Sequence, residues 1–198
     1  MRKLRYTWTM KRTRTFLNPV VAAFMLFLVV PPASASQASS SAEVLELLEE
    51  LKAPDQERWQ RIERQISRLW SRSGSASADL LLQRGRDALR QGDSGTAIEH
   101  FSALIDHAPE FAEAYHSRAT AWFMDGNIGM AIDDLRETLA RNPQHFSALA
   151  GLGRLFEDLR EYDRAQAAFR AAAAIHPHRS DVKAALERIE RRLIGTAL

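Results

Sequence analysis

The stretch Ala78–Arg179 reads ADLLLQRGRDALRQGDSGTAIEHFSALIDHAPEF over residues 78–111, AEAYHSRATAWFMDGNIGMAIDDLRETLARNPQH over 112–145 and FSALAGLGRLFEDLREYDRAQAAFRAAAAIHPHR over 146–179. Set under one another, the three segments share one pattern with a period of 34 residues. Position 8 holds Gly85, Ala119 and Gly153, and position 20 holds Ala97, Ala131 and Ala165. Position 24 holds Phe101, Leu135 and Phe169, and position 32 holds Pro109, Pro143 and Pro177. A period of this length marks stacked supersecondary units, none of which can bury its apolar face alone. Small residues at positions 8 and 20 let two helices of one unit approach closely. Larger side chains such as Tyr115, Trp122, Leu149, Leu152 and Phe156 fill the remaining space. The proline at position 32 cannot continue a helix and pushes the residue before it away from helical angles, so it closes the second helix of each unit.

These columns resemble the tetratricopeptide repeat (TPR) family over 102 residues, from 78 to 179. The resemblance implies an all-α, right-handed solenoid of helix-turn-helix hairpins whose concave side is lined by first helices and grips an extended or helical segment of a partner. Gly92-Asp93 and Gly126-Asn127 supply turn chemistry between the helices, whereas repeat three has Arg160-Glu161 there. Arg84 and Arg118 stand where the family usually has a leucine. Carried over by column, the groove positions place Leu82 and Arg86 from repeat one, His116, Thr120 and Phe123 from repeat two and Arg154 from repeat three as the expected partner contacts. Phe123 and its neighbour Met124 could equally pack against the adjoining hairpin. The family's best-known groove clamps a C-terminal carboxylate with lysine, asparagine and arginine side chains. The corresponding residues here are Leu82, Arg86, Ser117, Ser147 and Gly151, so that clamp is absent and a chaperone-tail ligand is not implied.

Charge separates the chain into two parts. Its formal net charge is +2, yet the first 35 residues carry Arg2, Lys3, Arg5, Lys11, Arg12 and Arg14 and no acid. Beyond them 21 basic residues face 25 acidic ones, a net charge of −4, which offers phosphate backbones no general attraction and argues against a nucleic-acid partner. After the basic segment comes an apolar run from Val20 to Val30, bracketed by Pro19 and by Pro31-Pro32. Eleven residues fall short of the roughly 20 needed to span a bilayer, and Ala33-Ser34-Ala35 has the small-x-small form of a signal-peptidase site. Residues 1–35 are therefore expected to be a secretory signal peptide cut after Ala35, with Met10 as the expected start. Thr13-Arg14 lacks the first arginine of a twin-arginine pair, which favours general secretion. Export to a periplasm follows where the host has two membranes, and an uncleaved inner-membrane anchor facing the periplasm is the alternative. With no cysteine in the chain, disulfides and thiolate chemistry are removed.

Residues 36–41 are small and polar, a tether by composition, and residues 42–77 form an N-terminal helical cap and hinge. A first helix from about Ala42 to Lys52 carries Leu45, Leu47, Leu48 and Leu51; Ala53-Pro54 breaks it and Asp55 is placed to cap the next. In that second helix Trp59, Ile62, Ile66, Leu69 and Trp70 recur at helical spacing and make an apolar stripe. It is expected to pack on repeat one as a cap, with docking or dimerisation as the alternative. Ser71 to Ser77 is the hinge. After the repeats, residues 180–198 supply a C-terminal capping helix with Val182, Ala185, Leu186, Ile189 and Leu193 on one side, ending in a frayed tail.

Catalytic signatures are lacking. The chain has no His-Glu-x-x-His pair, no phosphate-cradling loop ending in Lys-Ser/Thr and no Gly-x-Ser-x-Gly elbow. Adjacent acids such as Asp133-Asp134 project about 100° apart on a helix and do not converge. His176-Pro177-His178 could place two imidazoles near one metal, but its proline is explained by the repeat and no third ligand is evident. The expected protein is thus a non-enzymatic scaffold or adaptor of the cell envelope, without cofactor or metal, bound to a protein or peptide. A non-catalytic subunit of an envelope enzyme and a small metal- or ligand-binding protein are the rival readings.

Overall fold

The computed structural model describes residues 33–53 and 57–196. The expected signal peptide, apart from Ala33–Ala35, and the expected cap Asp55 lie outside them. The described residues form α1 (Ala33–Leu51), α2 (Trp59–Trp70), α3 (Ala76–Arg90), α4 (Ser94–His107), α5 (Ala112–Met124), α6 (Ile128–Arg141), α7 (Phe146–Asp158), α8 (Tyr162–Ile175) and α9 (Ser180–Thr196), with no strand among them. No helix among them is long and apolar enough to cross a membrane. Helices α3/α4, α5/α6 and α7/α8 pair as the three expected hairpins, each packs on the next, and α9 closes the array against α8. The fold is an all-α solenoid.

Complementary volumes decide how close each hairpin closes. A Cβ built on Gly85 falls 2.3 Å from Cε1 of Phe101, and one on Gly153 falls 2.7 Å from the ring of Phe169. Both rings are buried. Repeat two pairs Ala119 with the smaller Leu135, both in its core. A phenylalanine at position 24 therefore goes with glycine at position 8, and a leucine with alanine. The turns that join the paired helices also share one geometry. Gly92 and Gly126 have φ of +80° and +81°, and Asp93 and Asn127 donate their N–H to the carbonyls of Ala88 and Trp122 five residues back. This is the six-to-one bond of a Schellman turn. Repeat three keeps the bond, Glu161 to Phe156 at 2.8 Å, although Arg160 rather than glycine takes the left-handed conformation, with φ 62°.

Arg118 answers the missing leucine at its position with an ion pair. Its guanidinium meets both oxygens of Asp134 on α6 at 2.8 Å and donates to the hydroxyl of Ser102 on α4 at 3.1 Å. Asp134 is buried, so the pair joins α5 to α6 within repeat two, and the bond to Ser102 ties the same arginine to repeat one.

Three expectations for the N-terminal region are corrected. Residues 36–41 are helical within α1 rather than a tether. Ala35 and Ala38 are strong helix formers, and no glycine or proline interrupts the run after Pro32. The N-cap of α2 is Arg58, without a side-chain hydrogen bond. More consequentially, α2 does not cap repeat one. Its Ile62 and Ile66, with Leu47, Leu48 and Leu51 of α1, form a buried cluster with Phe146, packed by Trp59, Leu69, Trp70 and Ile175. The hairpin α1/α2 thus sits on the edge where the chain passes from α6 to α7 and from α8 to α9. The physical reason lies in α3. At positions 3 and 10, repeats two and three carry Ala114, Ala121, Ala148 and Leu155, all buried, whereas repeat one carries an exposed Leu80 and a half-buried Asp87; at position 7, Arg84 is exposed where Leu152 is buried. The outer face of α3 is largely polar and needs no cover.

The pairing of positions 8 and 24 is testable. Gly85→Ala is expected to cost about 1–3 kcal/mol through overpacking, and Phe101→Leu added to it should recover part of that loss. Urea unfolding of the two single variants and the double variant measures the coupling, and strict additivity counts against it.

Candidate partner-binding groove

First helices α5 and α7 bound an open concavity of about 260 Å³ lined by His116, Ala119, Thr120, Phe123, Leu135, Ser147, Gly151, Arg154, Leu155 and Arg179. Four of the six expected contacts, His116, Thr120, Phe123 and Arg154, converge here. Phe123 and Met124 are each 49 % exposed, so neither side chain is buried in the packing of the hairpins. The Thr120 hydroxyl donates back to the His116 carbonyl at 3.2 Å. Arg154 reaches Asp181 at 3.2 Å, an exposed pair of the kind worth little in water. Arg179, at the last position of repeat three, was not among the expected contacts. It is held by two hydrogen bonds to Asp181, at 3.0 and 2.6 Å. Its column also holds Phe111 and His145, which N-cap the following helices, and that position is the signal that could have found it.

Leu82 is a correction. It is 2 % exposed and belongs to the core of repeat one with Ala78, Ala97 and Phe101. Ala78, Leu82, Gly85 and Ala88 form the buried stripe of α3, which turns Leu82 inward. Arg86 is also withdrawn from the open groove. Its guanidinium pairs with Glu113 and donates to the Ser71 hydroxyl at the end of α2, the latter at 3.1 Å.

Glu113 is the centre of a closed network at this end of the groove. Its Oε2 lies 3.2 Å from His145 Nε2 and 3.7 Å from His116 Nδ1, while Oε1 receives Arg86. His145 is 2 % exposed, with the Trp70 ring stacked on it at 4.5 Å. Burial resists ionisation of Glu113, but the N–H groups of His116 and His145 outweigh it and hold the carboxyl well below the usual range. Burial is also the main influence on His145 and pushes its imidazole below the ordinary value, against the opposing bond to Glu113.

Glu113, His116 and His145 are the one group among the described residues whose potential metal-ligating atoms lie within 4.8 Å of one another. Their hydrogen bonding speaks against an ion. Nδ1 of His145 accepts the N–H of Ala148 at 3.1 Å as the N-cap of α7. In a neutral ring the proton is then on Nε2, where it is given to Glu113. A metal at Nε2 requires a ring bare of protons or loss of the cap. His176 and His178 do not converge either: the His178 Nε2–H donates to the Ala53 carbonyl at 2.9 Å, and the buried His176 faces Glu63 at 3.6 Å.

With hairpins, register and groove in place, the class is that of an all-α repeat protein with an open concave surface. Models of the family described as tetratricopeptide repeat match residues 82–134 and 123–189, together spanning more than half of the chain, and the chain belongs to that family. It is 32% identical over 89 residues to a TPR repeat-containing protein of Rhizobium etli, covering 45% of this chain and 44% of the relative. It is 42% identical over 53 residues to tetratricopeptide repeat protein 36 of Bos taurus, covering 27% and 28%. The chain thus spans less than half the length of either. Among solved structures, the first TPR of Spaghetti (RPAP3) bound to the HSP90 peptide SRMEEVD aligns with a TM-score of 0.59 at 22% identity, over 61% of this chain and 95% of that one. The TPR2B domain of yeast Sti1, in a complex with pHsp70, aligns at 0.56 and 21%, over 60% and 99%. MamA aligns at 0.56 and 23%, over 69% and 82%.

The depressed His145 sets a pH dependence. An imidazole that binds its proton less well folded than unfolded contributes stability above its ordinary pKa of 6.5, and that contribution is lost as pH falls through 6.5 toward the folded value. The urea midpoint is therefore expected to fall between pH 7.5 and 5.5. His145→Asn, which retains a cap acceptor but does not titrate, should flatten that fall even if its midpoint at pH 7.5 is lower.

Proposed function

We propose that this protein is a non-catalytic adaptor that holds a segment of a partner protein in the half-groove between α5 and α7. The observation that carries this reading is the meeting of an exposed aromatic ring, Phe123, with the cations Arg154 and Arg179 over a small-residue floor of Ala119 and Gly151. An aromatic anchor beside arginine is the composition in which binding energy concentrates. The peptide complexes named for two solved neighbours support a peptide or protein ligand. The columns that clamp a terminal carboxylate are replaced here, so an internal segment suits this groove better than a free C-terminus. An open groove also lacks the enclosed pocket in which catalytic groups work, which supports an adaptor over an enzyme.

Export is part of the proposal. It rests on the basic start, the eleven-residue apolar run and the Ala33-Ser34-Ala35 flank, and it puts the partner in the envelope, in the periplasm of a two-membrane host.

Recovery of a specific partner from an envelope extract should fall at least about tenfold when Phe123→Ser is combined with Arg154→Glu, with far-ultraviolet helicity unchanged. Undiminished recovery would exclude this groove. Fractionation with N-terminal sequencing should return a mature chain beginning at Ser36, and a chain retaining Met1 or Met10 contradicts cleavage.

A further inference from the structure

Helix α2 is seated on residues that the repeats themselves hold in place. His145 and Phe146 are the N-cap and first residue of α7, and Ile175 and His176 are the last residue and C-cap of α8. On this ledge the Trp70 ring lies 4.5 Å from His145 and 5.1 Å from Phe146, and Trp59 sets against His176 at 5.4 Å and His178 at 6.4 Å. Eleven residues separate the two tryptophans, close to three helical turns, so both fall on the stripe that carries Ile62 and Ile66. We propose that the ledge of His145, Phe146, Ile175, His176 and His178 is a helix-accepting site in its own right. Helix α2 fills it as a displaceable internal ligand, and an amphipathic partner helix with two aromatic anchors eleven residues apart takes its place.

Three features make α2 an exchangeable occupant. First, it leaves the ledge incompletely satisfied. His176 is buried with neither ring nitrogen hydrogen-bonded, and the Glu63 carboxylate stops at 3.6 Å, longer than a hydrogen bond. A buried polar group without a partner is costly, and a partner helix bringing a carboxylate or hydroxyl slightly closer removes that cost. Second, α2 has no side-chain hydrogen bond at its N-cap, so this short helix is held by its packing on the ledge and on α1 rather than by its own caps. Third, the connection to α3 includes Gly74 with φ of +82°, and the polar outer face of α3 means that the solenoid does not need α1/α2 as a cap. Undocking also breaks the Ser71–Arg86 bond and uncovers His145. The proposal does not rest on the groove between α5 and α7 and stands or fails separately from it.

A fluorescein-labelled peptide of residues 57–72 tests this in trans by anisotropy. An internal ligand lowers apparent affinity by the fraction of time the site stands open, so a full chain carrying Ile66→Asp, whose own α2 is disabled, should bind the peptide at least about tenfold more tightly than the wild type. A peptide with both tryptophans changed to alanine should not bind. Equal or absent binding to a variant whose repeats keep their helicity overturns the proposal. Should Ile66→Asp unfold the repeats, native-state hydrogen exchange on the unaltered chain decides. Exchange of the Ile62 and Ile66 amides through an opening that leaves α5–α8 protected supports exchangeability, and exchange only with global unfolding overturns it.

Discussion

The structure depends first on a steric fit across each hairpin. An aromatic ring at position 24 lies where the side chain of position 8 would be, so the two helices close to a distance that glycine alone permits in repeats one and three. This constraint acts before any surface chemistry. It fixes which faces of α3, α5 and α7 turn inward, and thereby which residues remain to line the concave side. Because interiors are packed like crystals rather than liquids, a methyl group too many at Gly85 or Gly153 must displace a buried ring.

Repeat two meets the same demand differently. It has the smaller Ala119/Leu135 pairing and invests instead in Arg118–Asp134, a bidentate bond that also reaches Ser102 of the preceding unit. A partly buried arginine between two repeats is sensitive to geometry in a way that leucine is not, since its fork must meet the carboxylate in plane. The middle unit is thereby distinguished from its neighbours, although the backbone path is nearly the same.

The repeat register, the hairpins and the closing helix α9 were legible in the residues because each column of small, large or proline residues answers to a local steric need. Even Arg160, which breaks the glycine pattern, left the turn intact, since the six-to-one bond depends on backbone angles and not on the side chain. The groove was legible in part. His116, Thr120, Phe123 and Arg154 came together, but column 5 holds a lining residue in repeat two and core residues in repeats one and three, Leu82 and Ala150. Least legible was the seat of α2. An amphipathic stripe says that something covers it, and nothing in its periodicity distinguishes the face of a hairpin from the edge of two. The Glu113 network was hidden for a related reason: Trp70, Arg86, Glu113 and His145 come from four segments, and Trp70 joins the other three only through that seat.

Stacked units join head to tail, and a head-to-tail interface left unfinished can repeat from molecule to molecule into a filament. The two ends of this solenoid do not invite it. Asp87 stands at the leading end where later units present Ala121 and Leu155, beside Arg84 in the column of Arg118 and Leu152, and α9 packs on the trailing hairpin. The polar side chains of α3 thus make that face unlike the ones that stack inside the array, so the columns that join unit to unit are not all repeated on it.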